Sequence, residues 1–184
     1  ERIFSGLTDE GVNFRIWGPR WVKATDPWIK NRVHMERALD RVEKLKVLKA
    51  SKILINLQHG GGALYWPDDK VVQYMGAGAL MIVNDRRDLG LIFERGEEIL
   101  TYQKKEELQT LIREYLENEP KRLEIAQKGQ ARARRDHTTA VRFEQILTLL
   151  AERGLPVTLN DLAGPEWTGD ALFTHMLHDK KARD

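Results

Sequence analysis

Apolar side chains recur along this chain with two periods. In "VNFRIWG", Val12 to Gly18, they fall at every second position, which predicts a strand stopped by Gly18 and Pro19. Arg2 to Leu7 reads as the end of a helix, with "DEG" as the turn before that strand. Trp21 to Arg32 mixes prolines, tryptophans and charge without a period and reads as loop, and Val33 to Met35 as a very short strand. From Glu36 to Ala50 the period changes. Leu39, Val42, Leu45 and Leu48 are spaced three apart with charges between them, the signature of a helix.

"KILIN", Lys52 to Asn56, is a short apolar run suited to a strand covered on both faces. A triple-glycine stretch, "NLQHGGGALYWPDDK", follows it. Asp68 and Asp69 then mark a helix N-terminus, and "GAG", Gly76 to Gly78, marks its end. "ALMIVND" predicts a second buried strand, and the alternation in "EEILTY" an edge strand. Three helices come next. The first, Glu106 to Glu117, gathers Leu108, Leu111, Ile112, Tyr115 and Leu116 on one face. The second carries Pro120 in its first turn and runs to about Arg135. The third is capped by Thr138 or Thr139 and turns Phe143, Ile146, Leu147 and Leu150 inward, with Gly154 and Pro156 beyond it. The tail from Leu155 to Asp184 is less regular. Strands alternating with helices predict an α/β fold, a parallel sheet with helices on both faces, whose ligands sit beyond the carboxyl ends of the strands.

Composition removes alternatives. The chain has 184 residues, of which 41% are hydrophobic and 32% charged, a soluble profile with enough apolar material for one sizeable core. A net charge of +2 is too balanced for a dedicated nucleic-acid binder, so nucleic acid is not an expected partner, although an anionic small ligand is compatible with it. With no cysteine, disulfides, thiolate chemistry and cysteine-ligated metals are excluded. The apolar runs are too short for a membrane span and no signal peptide is visible, which leaves the cytoplasm as the default compartment. The chain starts at Glu1, which suggests one domain of a longer protein.

The glycine triplet, Gly60, Gly61 and Gly62, is either slack or a place for close approach to the backbone. A glycine loop leading into a helix N-terminus presents unpaired amides in a positive field, an arrangement that binds phosphate, and Lys70 would add a full charge. Asp68 and Asp69 could satisfy the same amides themselves. The spacing matches neither the P-loop nor GxGxxG. His59, beside the glycines, is the histidine of interest. Of the scattered His34, His137, His175 and His178, the last two are three apart and could share one helical face, but no acidic or third histidine partner has metal-ligand spacing, so no metal is expected. No serine has a GxSxG setting. The charges of "KKEEL" read as a solvated helix face, and "QARARRDH" as an outer face and last helical turn. Trp17 and Trp21 flank "GPR", where a ring could stack on a base or pack in the core.

The order of segments from Ser51 to Leu150 resembles the carboxyl-terminal domain of GT-B glycosyltransferases, most nearly the CgeB-type (spore-maturation-like) branch of the group 1 enzymes. The matching pieces are "SKILINLQHG", "DDKVVQYMGAGALMIVND", "LIFERGEEILTY", "EELQTLIREYLENEPKRLEIAQKGQ" and "HTTAVRFEQIL", with "ERIFSGLTDEGVNFRIWGPRW" as the opening of the same domain. The resemblance implies a Rossmann-like half of a two-domain enzyme, residues 1–154, lacking its first strand, followed by an extension over 155–184. The donor would be a nucleotide-diphosphate sugar, with no tightly bound cofactor. The acceptor side and part of the catalytic apparatus would come from an amino-terminal half of the same protein.

In such enzymes the helix after the glycine loop reads basic residue, two apolar residues, glutamate. Here it reads Lys70, Val71, Val72, Gln73. The resemblance places Lys70 at the diphosphate and Gln73 at the ribose hydroxyls. It places Tyr65 where related enzymes carry another glutamate. Donor-site residues are thus expected to be His59, Gly60, Gly61, Gly62, Lys70 and Gln73, with Trp17 and Gly18 at the end of the first strand; no catalytic residue is assigned. Gly76 and Gly78 are expected to serve close packing, and His137, Thr138 and Arg142 to serve as cap and packing. Two further readings stand beside this one: a transferase-like domain that has lost its chemistry and serves as a binding or scaffold module, and a flavodoxin-like nucleotide-binding module.

Overall fold

A computed structural model describes residues 12–18, 21, 23, 27–35, 37–56 and 69–154. The glycine stretch with His59 and Tyr65, the amino-terminal helix end and the tail therefore lie outside the described residues. The chain divides into two compact units, Glu1–Ala133 and Arg134–Asp184.

Among the described residues, the first unit holds two parallel sheets. A small one pairs β1 (Ile16–Trp17) with β2 (Val33–Met35), with a one-turn helix α1 (Pro27–Lys30) between them. The main one has the order β3 (Ile53–Asn56), β4 (Leu80–Asn84), β5 (Leu100–Tyr102), all parallel. "EEILTY" is thus an edge strand of the described sheet, but it starts later than the alternation predicts. Gly96 turns at φ +83° and Glu97 and Glu98 remain in that turn. Helices α2 (Arg41–Ala50), α3 (Asp69–Ala77), α4 (Lys105–Glu117) and α5 (Glu119–Asp136) complete this part, α5 running on past the boundary between the units.

Both faces of the main sheet are covered, the predicted α/β arrangement. On one face Leu54, Met81, Val83 and Ile99 pack with Val71 and Met75 of α3, Leu48 of α2, and Leu89 and Phe93. On the other, Leu80, Ile82, Leu100 and Tyr102 pack with Leu108, Ile112 and Tyr115 of α4 and Ile125 and Ala126 of α5. Phe14 and Trp21 pack against this second cluster and also against Ile16 and Ile29 of the small sheet. Trp21 thus joins two cores, the packing alternative of the two readings its position allowed.

α2 begins later than its periodicity suggests, because Asp40 caps it. The Asp40 carboxylate accepts from the Glu43 amide at 2.8 Å, and Glu43 accepts from the Asp40 amide at 3.1 Å. This capping box is worth about 1 kcal/mol. Arg37 grips the same Glu43 with both ends of its guanidinium, which lowers the Glu43 carboxyl to about 2. The helical spacing of Val42 and Leu45 does not bury them; they stay 61% and 46% exposed, and Leu48 alone in α2 is buried.

α5 lies tight against the turn that precedes β5 and against α3. A Cβ on Gly129 would meet the backbone carbonyl of Glu98 and the Met75 side chain, so only glycine fits this approach. Gly78, at φ +94°, ends α3, and a Cβ there would meet Gln130 Nε2 at 2.5 Å. Gly78 thus has the expected close-packing role. Gly76 has open space at its Cβ, and its carbonyl instead accepts from Gln130 at 3.1 Å.

In the second unit, α6 (Thr139–Glu152) has Thr138 as its cap, accepting from the Val141 amide at 3.3 Å. Arg142 donates to Nδ1 of His137 at 2.7 Å, so the late motif serves as cap and local tie. The expected inward face does not form: no residue of α6 is buried, and Phe143 and Ile146 are exposed. Within its own unit the described chain is the end of α5 and this one helix, and a single helix cannot bury its own stripe.

Candidate functional site

The three parallel strands end at one edge, and each ends in a polar residue: Asn56, Asn84 and Tyr102. Toward the other edge the same strands begin with Ile53, Leu80 and Leu100. This gradient from apolar to polar marks the carboxyl edge as the one where polar ligands are met. Asn56 is 7% exposed and its Nδ2 makes no hydrogen bond among the described residues; the same holds for the hydroxyl of Tyr102. Burial pushes the Tyr102 hydroxyl up to about 12, with the positive charge of Arg86 pulling the other way. A buried polar group without a partner costs about 1–3 kcal/mol, so such groups collect where something other than stability is being served.

One wall of this edge is the start of α3. Val71 and Met75, four apart, face the sheet and are buried. Lys70 and Gln73, three apart, share the exposed side of the first turns. The helix dipole is positive at this end, and Lys70 reinforces it. Gln73 Oε1 accepts from Nζ of Lys44 on α2 at 3.0 Å. That cation was not expected from the sequence. It comes from 29 residues away, and no local pattern announces it.

The other wall is the connection from β4 to β5. It opens with Asp85 and Arg86, forms a short 3-10 turn over Arg87–Leu91, and returns through Arg95 and Gly96 to β5. Leu89, Ile92 and Phe93 are buried and pin it to the core. The Asp85 amide donates to the Tyr102 carbonyl at 2.8 Å. Arg95 reaches back to bond Asp85 at 2.8 Å and the carbonyl of Arg86 at 2.6 Å. A cavity of about 380 Å³ is lined by Gly90, Phe93, Glu94, Arg95, Glu98 and Arg132.

Of the expected site residues, Lys70 and Gln73 stand together on α3. Trp17 is half-buried at the end of β1 in the small sheet, and Gly18 follows that strand at φ +126°; neither lies in the β3–β5 sheet. His59, Gly60, Gly61 and Gly62 lie outside the described residues. Among the described residues no cluster of three or more His, Asp or Glu is placed to hold a metal. No described helix is long and apolar enough to cross a membrane.

Residues 1–148 match the glycosyl transferase-like family. The chain belongs to that family. No curated protein matches it. Two solved structures that this glycosyltransferase-like chain resembles are both of HepE from Anabaena. The one in complex with UDP is 20% identical, with a TM-score of 0.56, over 68% of this chain and 34% of that one. The one in complex with UDP-glucose is 18% identical over the same shares, with the same TM-score. The chain thus spans about a third of the length of HepE. At this identity the likeness establishes the fold: a Rossmann-like glycosyltransferase architecture with a parallel three-stranded sheet flanked by helices.

Proposed function

We propose that this chain is the donor-binding part of a GT-B glycosyltransferase of the CgeB-type branch, which moves a hexose from a nucleotide-diphosphate sugar to an acceptor. The observation that carries the reading is the start of α3, where Lys70 and Gln73 stand one turn apart beside the polar edge of the sheet, in a member of a glycosyltransferase family. HepE, whose fold this chain shares, binds UDP and UDP-glucose, which makes these the first probes.

In this reading the glycine stretch with His59, Gly60, Gly61 and Gly62 approaches the diphosphate, and Lys70 balances its charge. Gln73 meets the ribose hydroxyls, while Trp17 and Gly18 border the base. As the bond from sugar to diphosphate breaks, negative charge grows on the leaving group. In this reading backbone amides and the Lys70 ammonium stabilise that charge more than they stabilise the ground state. No metal is needed for this step. An amino-terminal half of the same protein would bring the acceptor, so residues 1–184 alone would bind donor without transferring sugar. The enzyme is proposed to work in the cytoplasm, with residues 155–184 as an extension of the domain over 1–154.

A second reading has its own observation. Gln73 is a neutral residue where related enzymes carry glutamate, and Lys44 already engages it. A domain of this kind would retain the fold as a binding or scaffold module. Calorimetric titration with a panel of nucleotides and nucleotide sugars decides between them. Saturable binding of a nucleotide-diphosphate sugar supports the first reading; no heat from any of them at millimolar concentration leaves the second.

A further inference from the structure

We propose that Arg95 is a positioning residue for the donor site, holding the segment 85–90 in the form that receives the ligand. The proposal rests on the donor reading above. The Arg95 backbone pairs with Ile99 at the entry to β5, and the amide of its neighbour Gly96 donates to the Ile99 carbonyl at 2.8 Å. From that fixed base the side chain reaches back ten residues to the carboxyl end of β4. Its Nε donates to Asp85 Oδ1 at 2.8 Å, and its Nη2 donates to the carbonyls of Arg86 and Arg87 at 2.6 and 3.2 Å. Three consecutive residues are thus oriented by one planar group, which a single ammonium point charge cannot do.

Gly90 completes the device. A Cβ there would occupy the place of Arg95 Nη1, so the guanidinium sits directly on the glycine backbone. The φ of Gly90 is one that alanine can adopt.

The arrangement is not mainly a stability device. The Arg95–Asp85 pair is about one-third exposed, and ion pairs at that exposure contribute little to folding. The anchoring of this connection already comes from Leu89, Ile92 and Phe93 in the core. What Arg95 adds is a fixed path for the backbone just above the central strand of the sheet. A segment fixed before the ligand arrives loses less conformational freedom on binding.

The experiment uses the full 184-residue chain with UDP-glucose as probe, in wild type, Arg95→Ala, Arg95→Lys and Gly90→Ala. Calorimetry gives the dissociation constant, thermal unfolding the stability, and hydrogen exchange the protection of amides 86–90 without ligand. Arg95→Ala and Gly90→Ala should each weaken binding roughly ten-fold, since small misplacements of a site are costly. Arg95→Lys should fall between them and wild type. Melting temperatures should stay close to wild type, and exchange should quicken at 86–90 alone. Gly90→Ala keeps every charge and displaces only the guanidinium, so its loss separates geometry from electrostatics. Wild-type binding with unchanged affinity in both alanine variants would overturn the Arg95 assignment and leave the donor reading standing. No binding by wild type would overturn the donor reading and this assignment with it.

Discussion

Leu89 and Phe93, in the connection that leaves β4, are almost wholly buried, and Arg95 ties the same segment from outside. Lys70 and Gln73, at the start of α3, are exposed, and Gln73 is reached by a lysine from another helix. Both regions border the carboxyl edge of one sheet, yet one is set by packing and the other presents polar groups to solvent. The difference separates two tasks. Burial fixes where the backbone runs, and it costs stability when removed. Exposed charge does little for folding and is available to a ligand. Substitutions of the buried side chains of the first region, Leu89 and Phe93, should therefore be read in stability, and those of exposed polar groups, Arg95 among them, in affinity.

The largest effect should come from Leu89→Ala. It removes a fully buried side chain from the packed wall and should cost about 3 kcal/mol of unfolding free energy in a denaturant titration. A cost below about 1 kcal/mol would mean that the wall is not held by its core contacts. Lys70→Ala reverses the pattern. It should leave stability within about 0.5 kcal/mol and weaken UDP binding by about ten-fold, or 1.4 kcal/mol. A loss of stability comparable to that of Leu89→Ala would erase the contrast between the two walls.

Gln73→Glu changes the exposed wall by one charge. A charged acceptor forms a bond stronger by about 1 kcal/mol than a neutral one. Lys44 competes for that charge, so binding of UDP should strengthen only about three-fold by calorimetry. Tyr102→Phe tests the buried side with the smallest effect. The Tyr102 hydroxyl titrates at about 12 in the folded chain, above its ordinary value of 10.0. The unfolded chain therefore releases that proton first, and stability present below pH 10 is lost as pH rises toward 12. Phenylalanine should remove this alkaline loss, and at pH 7 it should leave stability unchanged or raise it by up to about 1 kcal/mol. Denaturant titrations at pH 7, 9 and 11 measure both.

The sheet was legible because buried parallel strands are written as uninterrupted apolar runs. "KILIN" and "ALMIVND" are each bounded by turn or cap signals, and α4 shows its stripe in Leu108, Ile112 and Tyr115. The helical spacing of Val42 and Leu45 misled because periodicity reports which residues share a face, and not whether another element covers it. The same reason applies to Phe143 and Ile146. At the candidate site, Lys70 and Gln73 are nominated by family resemblance, which reads a local motif. Arg95 and Lys44 were not, since their partners lie 10 and 29 residues away and ordinary surface arginines and lysines look the same in sequence. Asn56 and Tyr102 could have been suspected from one signal, a polar residue closing each apolar run.

In the proposed function the start of α3 meets the diphosphate of a nucleotide-sugar donor. The most direct measurement of that contact is calorimetric titration of wild type and Lys70→Ala with UDP and with uridine. Wild type should bind UDP more tightly than uridine, and Lys70→Ala should lose most of this difference while its uridine affinity is nearly unchanged. Equal loss for both ligands, or wild-type indifference to the phosphates, would contradict that placement.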